Sequence, residues 1–218
     1  METPTAAPSR REQNKAATRT GIAQAALRLL RDEGVDALTA ERVADLAGVS
    51  RRTLFNYFPS VEAALNAPLE TFLDGAIARF DEVPADLPAT TAAVEALRAL
   101  GGPREGLAAV AEVFMLAEGI PQLSRLQLEA WDHTADRMHE AMSQRAPAAG
   151  RFELAVYVHA VVGAGKAAFR HWAEQHPVDY LTEAAVDDLQ DQLTFALEQL
   201  RDGFPGLQAL EQPAPGQD

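Results

Sequence analysis

Arg51, Arg52, Thr53 and Asn56 crowd one short segment and together offer guanidinium, hydroxyl and amide groups. Such groups pair with base edges in the DNA major groove and with phosphate oxygens. To enter a groove they must ride on a rigid helix, and the stretch TAERVADLAGVSRRTLFNYF from Thr39 to Phe58 supplies one. Two short helical patterns flank a break at Ala47-Gly48-Val49-Ser50. Thr39 and Ser50 are residue types that cap a helix start, each accepting a bond from a free backbone N–H two or three residues on. Gly48 stands where the chain leaves the first helix, a place that often needs positive φ. Val43, Leu46, Val49 and Leu54 recur at spacings that bring two helices face to face, and Ala44 is small enough for a close crossing. The pattern predicts a helix-turn-helix. A plain pair of core helices with a basic surface would share the apolar register but would not need the caps, the glycine and the polar face together.

Catalytic and metal chemistry find no comparable pattern. The chain has no cysteine, which excludes disulfides, thiolate metal sites and cysteine nucleophiles. His133, His139, His159, His171 and His176 include no pair three or four apart and no HExxH array, so no metal site is expected. Val162-Gly163-Ala164-Gly165-Lys166-Ala167 lacks the earlier glycine and the following hydroxyl of a phosphate loop. Small residues there suit close helix packing instead. The chain reads as a non-enzyme with no cofactor.

The elements that must position the reader follow from composition. The 218 residues are 47% hydrophobic but only 6% aromatic, and they are rich in Ala and Leu, which favours helix. No segment sustains the period-two alternation of a strand, so an all-α fold is expected. The net charge of −13 is unevenly spread. Residues 1–60 hold nine Arg/Lys against seven Asp/Glu, a net of +2, whereas residues 61–218 hold ten against twenty-five, a net of −15. An acidic remainder is repelled by DNA and favours docking through the amino end alone. The longest uncharged apolar stretch, Leu154–Gly165, is shorter than the about 20 residues of a membrane span, and the amino terminus has no secretory core. A cytoplasmic protein off the membrane is expected.

The expected organisation is a disordered arm at 1–9, a three-helix helix-turn-helix domain at 10–60, a larger helical regulatory and dimerisation domain at 61–206, and a loose tail at 207–218. Helices are predicted at Arg10–Glu33, Val61–Glu82, Thr91–Leu100, Arg104–Glu118, Pro121–Arg145, Arg151–Gln175 and Thr182–Phe204. Pro68 falls inside the second of these, where it should kink or break the helix.

With these residues in view, the first third of the chain resembles the DNA-binding domain of TetR-type transcriptional regulators. The resemblance lies in Leu38-Thr39, Val43-Ala44, Ala47-Gly48-Val49-Ser50, Thr53-Leu54-Phe55, Tyr57-Phe58, Ser60, Glu62 and Leu65. It implies a homodimer that reads two half-sites of a palindromic double-stranded DNA, with a small-molecule pocket in the carboxy-terminal helices. Arg51, Arg52, Thr53 and Asn56 take the exposed places of the recognition helix, and Thr39 and Tyr57 match places that contact phosphate. Phe55 stands where the family often has Tyr. Val61 stands where the family commonly has a phosphate-binding Lys, which removes one backbone contact per subunit; Arg10, Arg11, Lys15 and Arg19 could replace it.

A pocket for a small organic effector is expected around Phe114, Trp131, Met138 and His159, although each could equally fill core. The stripe Val186, Leu189, Leu193, Ala196, Leu197 and Leu200 is expected to pair two subunits, with burial inside one chain as the alternative. The functional expectation is a repressor released by an effector. Its rivals are a DNA binder that takes no ligand, and a helical ligand-binding protein whose DNA reader has degenerated.

Overall fold

The computed structural model describes residues 9–100, 104–118 and 120–208, and all regular structure among them is helical. Residues 1–8 of the expected arm and residues 209–218 of the expected tail lie outside the described residues. Two compact units form: one takes residues up to Pro68 together with Leu116–Leu126, the other Leu69–Met115 and everything from Gln127 on.

In the first unit, α1 spans Arg10–Glu33. Ser9 accepts from the Glu12 N–H, and the Glu12 carboxylate accepts in return from the Ser9 N–H at 2.7 Å, so two otherwise orphaned donors are satisfied. Gly34 ends the helix at φ +82°. Helices α2 (Ala40–Leu46) and α3 (Arg51–Tyr57) follow, α2 packed on α1 and α3 on α2, with Ile22, Val43 and Leu54 fully buried. Leu46, expected to face the helix pair, is instead 44% exposed in the last turn of α2.

The single helix expected over 61–82 divides. Glu62–Asn66 is a 3-10 turn, and α4 begins afresh at Ala67 and runs to Glu82. Of the kink or break expected near Pro68 the structure has the break, and Pro68 sits in the first turn of α4, where its missing N–H costs no helical bond.

The second unit contains α4 from Leu69, α5 (Ala89–Ala99), α6 (Arg104–Ala117), α7 (Pro121–Arg145), α8 (Arg151–Gln175), α9 (Glu183–Asp202) and the short α10 (Pro205–Gln208); the adjoining ends of α6 and α7, Leu116–Leu126, belong to the first. Leu207, expected in the loose tail, thus lies in a helical turn. The core centres on Trp172, Phe169, Val158 and Leu189, and the Trp172 indole N–H donates to the Ala185 carbonyl at 2.7 Å, which ties α8 to α9.

Val186, Leu189 and Leu193 are buried in this core, with Ala196 and Leu197 packed against it. Most of the stripe expected to face a second subunit is spent inside the chain; Leu200 is half-buried and outside this core. By length and composition α8 could cross a membrane, which the uncharged run Leu154–Gly165 did not suggest. One of its faces is core, and Arg151, Glu153, Arg170, His171 and Glu174 are exposed.

Candidate nucleic-acid interface and ligand cavity

The turn between α2 and α3 is closed by its own backbone. The Gly48 N–H donates to Asp45 O at 3.1 Å and the Val49 N–H to Ala44 O at 2.9 Å, which satisfies the last carbonyls of α2. This requires Gly48 at φ +65°, the left-handed region. Ser50 then caps α3: its Oγ accepts from the Thr53 N–H at 3.0 Å and lies 2.8 Å from the Thr53 hydroxyl. Leu54 is the buried anchor of α3, so Arg51, Arg52, Phe55 and Asn56 stand on its exposed side, with Phe55 47% exposed. Thr53, drawn toward the cap, and Tyr57 are half-buried.

Thr39 is exposed, and its hydroxyl accepts from the Arg42 N–H at 3.4 Å. Phe58 is buried beneath the Arg19 guanidinium, 4.8 Å from the ring centre, which takes Arg19 off the list of loose basic side chains. Arg10, Arg11 and Lys15 remain exposed along α1. Val61 is 6% exposed and belongs to the first unit's core. A residue that close to the interior contributes packing rather than phosphate contact.

A cavity of about 130 Å³ lies within the second unit. α4 supplies Leu69, Phe72, Leu73, Ile77 and Phe80; α7 supplies Trp131, Thr134, Met138 and Met142; α8 supplies Tyr157, Val161, Gly165 and Phe169. Leu193 and Leu197 of α9 also line it. The Thr134 hydroxyl donates to Ala130 O at 2.8 Å and the Tyr157 hydroxyl to Ala89 O at 2.9 Å. Burial pushes the Tyr157 phenol up to about 12, against a smaller pull from Arg145.

Of the residues expected at a pocket, Trp131 and Met138 line this cavity. Phe114 does not; it packs against Phe169 with ring centres 5.3 Å apart. His159 is exposed, and its Nδ1 lies 2.8 Å from Ala155 O, away from the lining. The α4 wall was missed in the sequence, although Leu69, Phe72, Leu73, Ala76, Ile77 and Phe80 have the spacing of one helical face.

Residues 22–67 match the family model described as bacterial regulatory proteins, tetR family. No curated protein matches the chain. Among solved structures, the chain is similar to Thermus thermophilus FadR, a TetR-family transcriptional repressor in complex with lauroyl-CoA, at 26% identity, TM-score 0.50, covering 91% of this chain and 100% of that one. The fatty acid degradation regulator FadR from Bacillus halodurans shares the fold at 15% identity, TM-score 0.54, covering 86% and 96%. So does the SmeT–triclosan complex, at 17% identity, TM-score 0.50, covering 92% and 100%.

Proposed function

We propose that this chain, whose residues 22–67 match the tetR family of bacterial regulatory proteins, is a cytoplasmic repressor released from DNA by a small organic effector. Two copies read the two halves of a palindromic operator, with their α3 helices in successive major grooves about 34–36 Å apart. Arg51, Arg52 and Asn56 meet base edges, while Thr39 and Tyr57 hold the backbone. The observation that carries this reading is α3 itself, a helix anchored by buried Leu54 and capped by Ser50, with its guanidinium and amide groups outward.

Pairing of the two copies is supported by exposed apolar groups on the last long helices. Phe152 is 83% exposed and Val156 53% on α8, and Phe195 is 60% exposed on α9. Gly163 and Ala167 continue the α8 face and would let a twin helix approach closely.

The effector occupies the cavity of the second unit. It acts only by binding one arrangement of the readers better than another. Helix α4 contributes a wall of that cavity, and its first turn continues into the DNA-reading unit, so it is the natural conductor. Two relatives are known with lauroyl-CoA or triclosan bound, which supports a ligand here without naming it.

The reading is tested by titrating DNA upstream of the protein's own gene. Each good base contact removed should cost about 1–3 kcal/mol, so Arg52→Ala and Asn56→Ala should each weaken binding by about 5- to 150-fold. Parent-like affinity in both would defeat base readout by α3.

A further inference from the structure

We infer that the effector is an uncharged, hydrogen-bond-poor compound with the bulk of one or two rings, bound for its apolar surface alone. This rests on the effector reading above and names the class of molecule it requires.

The inference comes from what the cavity wall can and cannot offer. No charged side chain lines it. Its two hydroxyls have committed their protons, Thr134 to Ala130 O within its own helix and Tyr157 to Ala89 O, so they can only accept from a ligand. The rest is aliphatic, aromatic or thioether. An ion entering such a wall sheds its water and finds no counter-charge, and a rich hydrogen-bonding ligand loses bonds it cannot replace.

Two arginines of α7 are engaged elsewhere. Arg137 reaches Asp74 and Glu70 O, and Arg145 donates to Phe80 O, Val83 O and Pro84 O. Lys166 lies 5.8 Å from the centre of the Trp131 ring and is not part of the lining. Size sets the other bound. A dry cavity of about 150 Å³ holds benzene, so about 130 Å³ fits one ring, and two if the thioethers of Met138 and Met142 yield.

The test uses the full-length protein and three probes of one skeleton: naphthalene, 2-naphthoate and 2-naphthylmethylammonium. Binding is followed by the methyl resonances of Met138 and Met142 after labelling the methionines with carbon-13, and DNA retention is measured in parallel. Naphthalene should bind saturably, shift both resonances, and bind about tenfold or more tighter than either ion. Gly165→Leu should abolish those shifts, because a side chain there grows toward Trp131, whose ring lies 3.9 Å from the Cβ position. If that variant does not fold, the methionine shifts in the parent still locate the ligand.

An ion that binds as well as naphthalene, or naphthalene that fails to bind, overturns the inference. Should an ion bind and release DNA, the effector reading stands while the proposed class falls. Should naphthalene bind without weakening DNA retention, the class stands and the effector reading falls.

Discussion

Arg42 of α2 grips Glu33 at the end of α1 through two parallel hydrogen bonds of 2.7 and 2.5 Å. The guanidinium holds the Glu33 carboxyl below its ordinary value of 4.5, and the carboxylate raises Arg42 in turn. Both side chains are about half exposed, so solvent screens the pair and its worth to stability is small. Its geometry matters more, because a fork-to-fork pair fixes the angle of α2 against α1. Since the folded-state value is lowered, the stabilisation is present above 4.5 and fades as pH falls through the lowered value. Arg42→Met should therefore lower the melting temperature slightly at neutral pH, and the gap should close in acid. A gap that widened in acid would contradict the assignment.

Gly48 should resist replacement for one reason only. A Cβ there meets nothing within 4 Å, so no clash arises, but φ is +65°. Gly48→Ala should cost about 1–2 kcal/mol through backbone strain alone, and Gly48→Asn less, because Asn tolerates that region. Urea unfolding of the two variants measures the difference; equal costs would point to a packing role instead.

Arg145 caps the far end of α4. It donates to three carbonyls there, at 2.8, 2.6 and 3.1 Å, and its guanidinium lies 4.6 Å from the Phe80 ring centre. Arg145→Met keeps the stem and removes the donors, and should destabilise the protein by about 1.5–3 kcal/mol. Chemical denaturation reads this directly. An unchanged midpoint would show that water satisfies those carbonyls equally well.

Tyr157 predicts an alkaline limit. Its phenol is raised from 10.0 to about 12, so its contribution is whole below pH 10 and is lost as pH climbs toward 12. Tyr157→Phe should lose the stabilising bond to Ala89 O at neutral pH yet fall away less steeply above pH 10. Absorbance titration of tyrosinate in parent and variant gives the check: the last-appearing signal should vanish in the variant.

Much of this architecture is legible in the sequence because its punctuation is chemical. Thr39 and Ser50 cap the helices they precede, as expected, and Pro121 opens α7, whose bounds, like those of α8, agree with the reading; Ser9, expected in a loose arm, caps α1 instead. Legibility fails where a pattern fits two partners. The apolar face of α9 could have met a twin or its own α8, and periodicity carries no address. His159 shows the opposite error: it lies two residues past Tyr157, about 200° round the helix, and so faces away from the cavity that Tyr157 lines. Glu62–Asn66 keeps a helical rhythm while adopting a tighter turn, so Pro68 marked a break but the 3-10 form before it was not legible. The attachment of Leu116–Leu126 to the first unit depends on contacts distant in sequence, for which the chain has no local marker.

A chamber whose only hydroxyls have given away their protons has little vocabulary of direction. It can weigh a guest by bulk and by water's reluctance to keep it, but it cannot tell one greasy skeleton from another of equal size. A cell carrying such a sensor would register the sum of a mixture rather than the presence of one member, and would answer to strangers never met before provided they were oily and small enough.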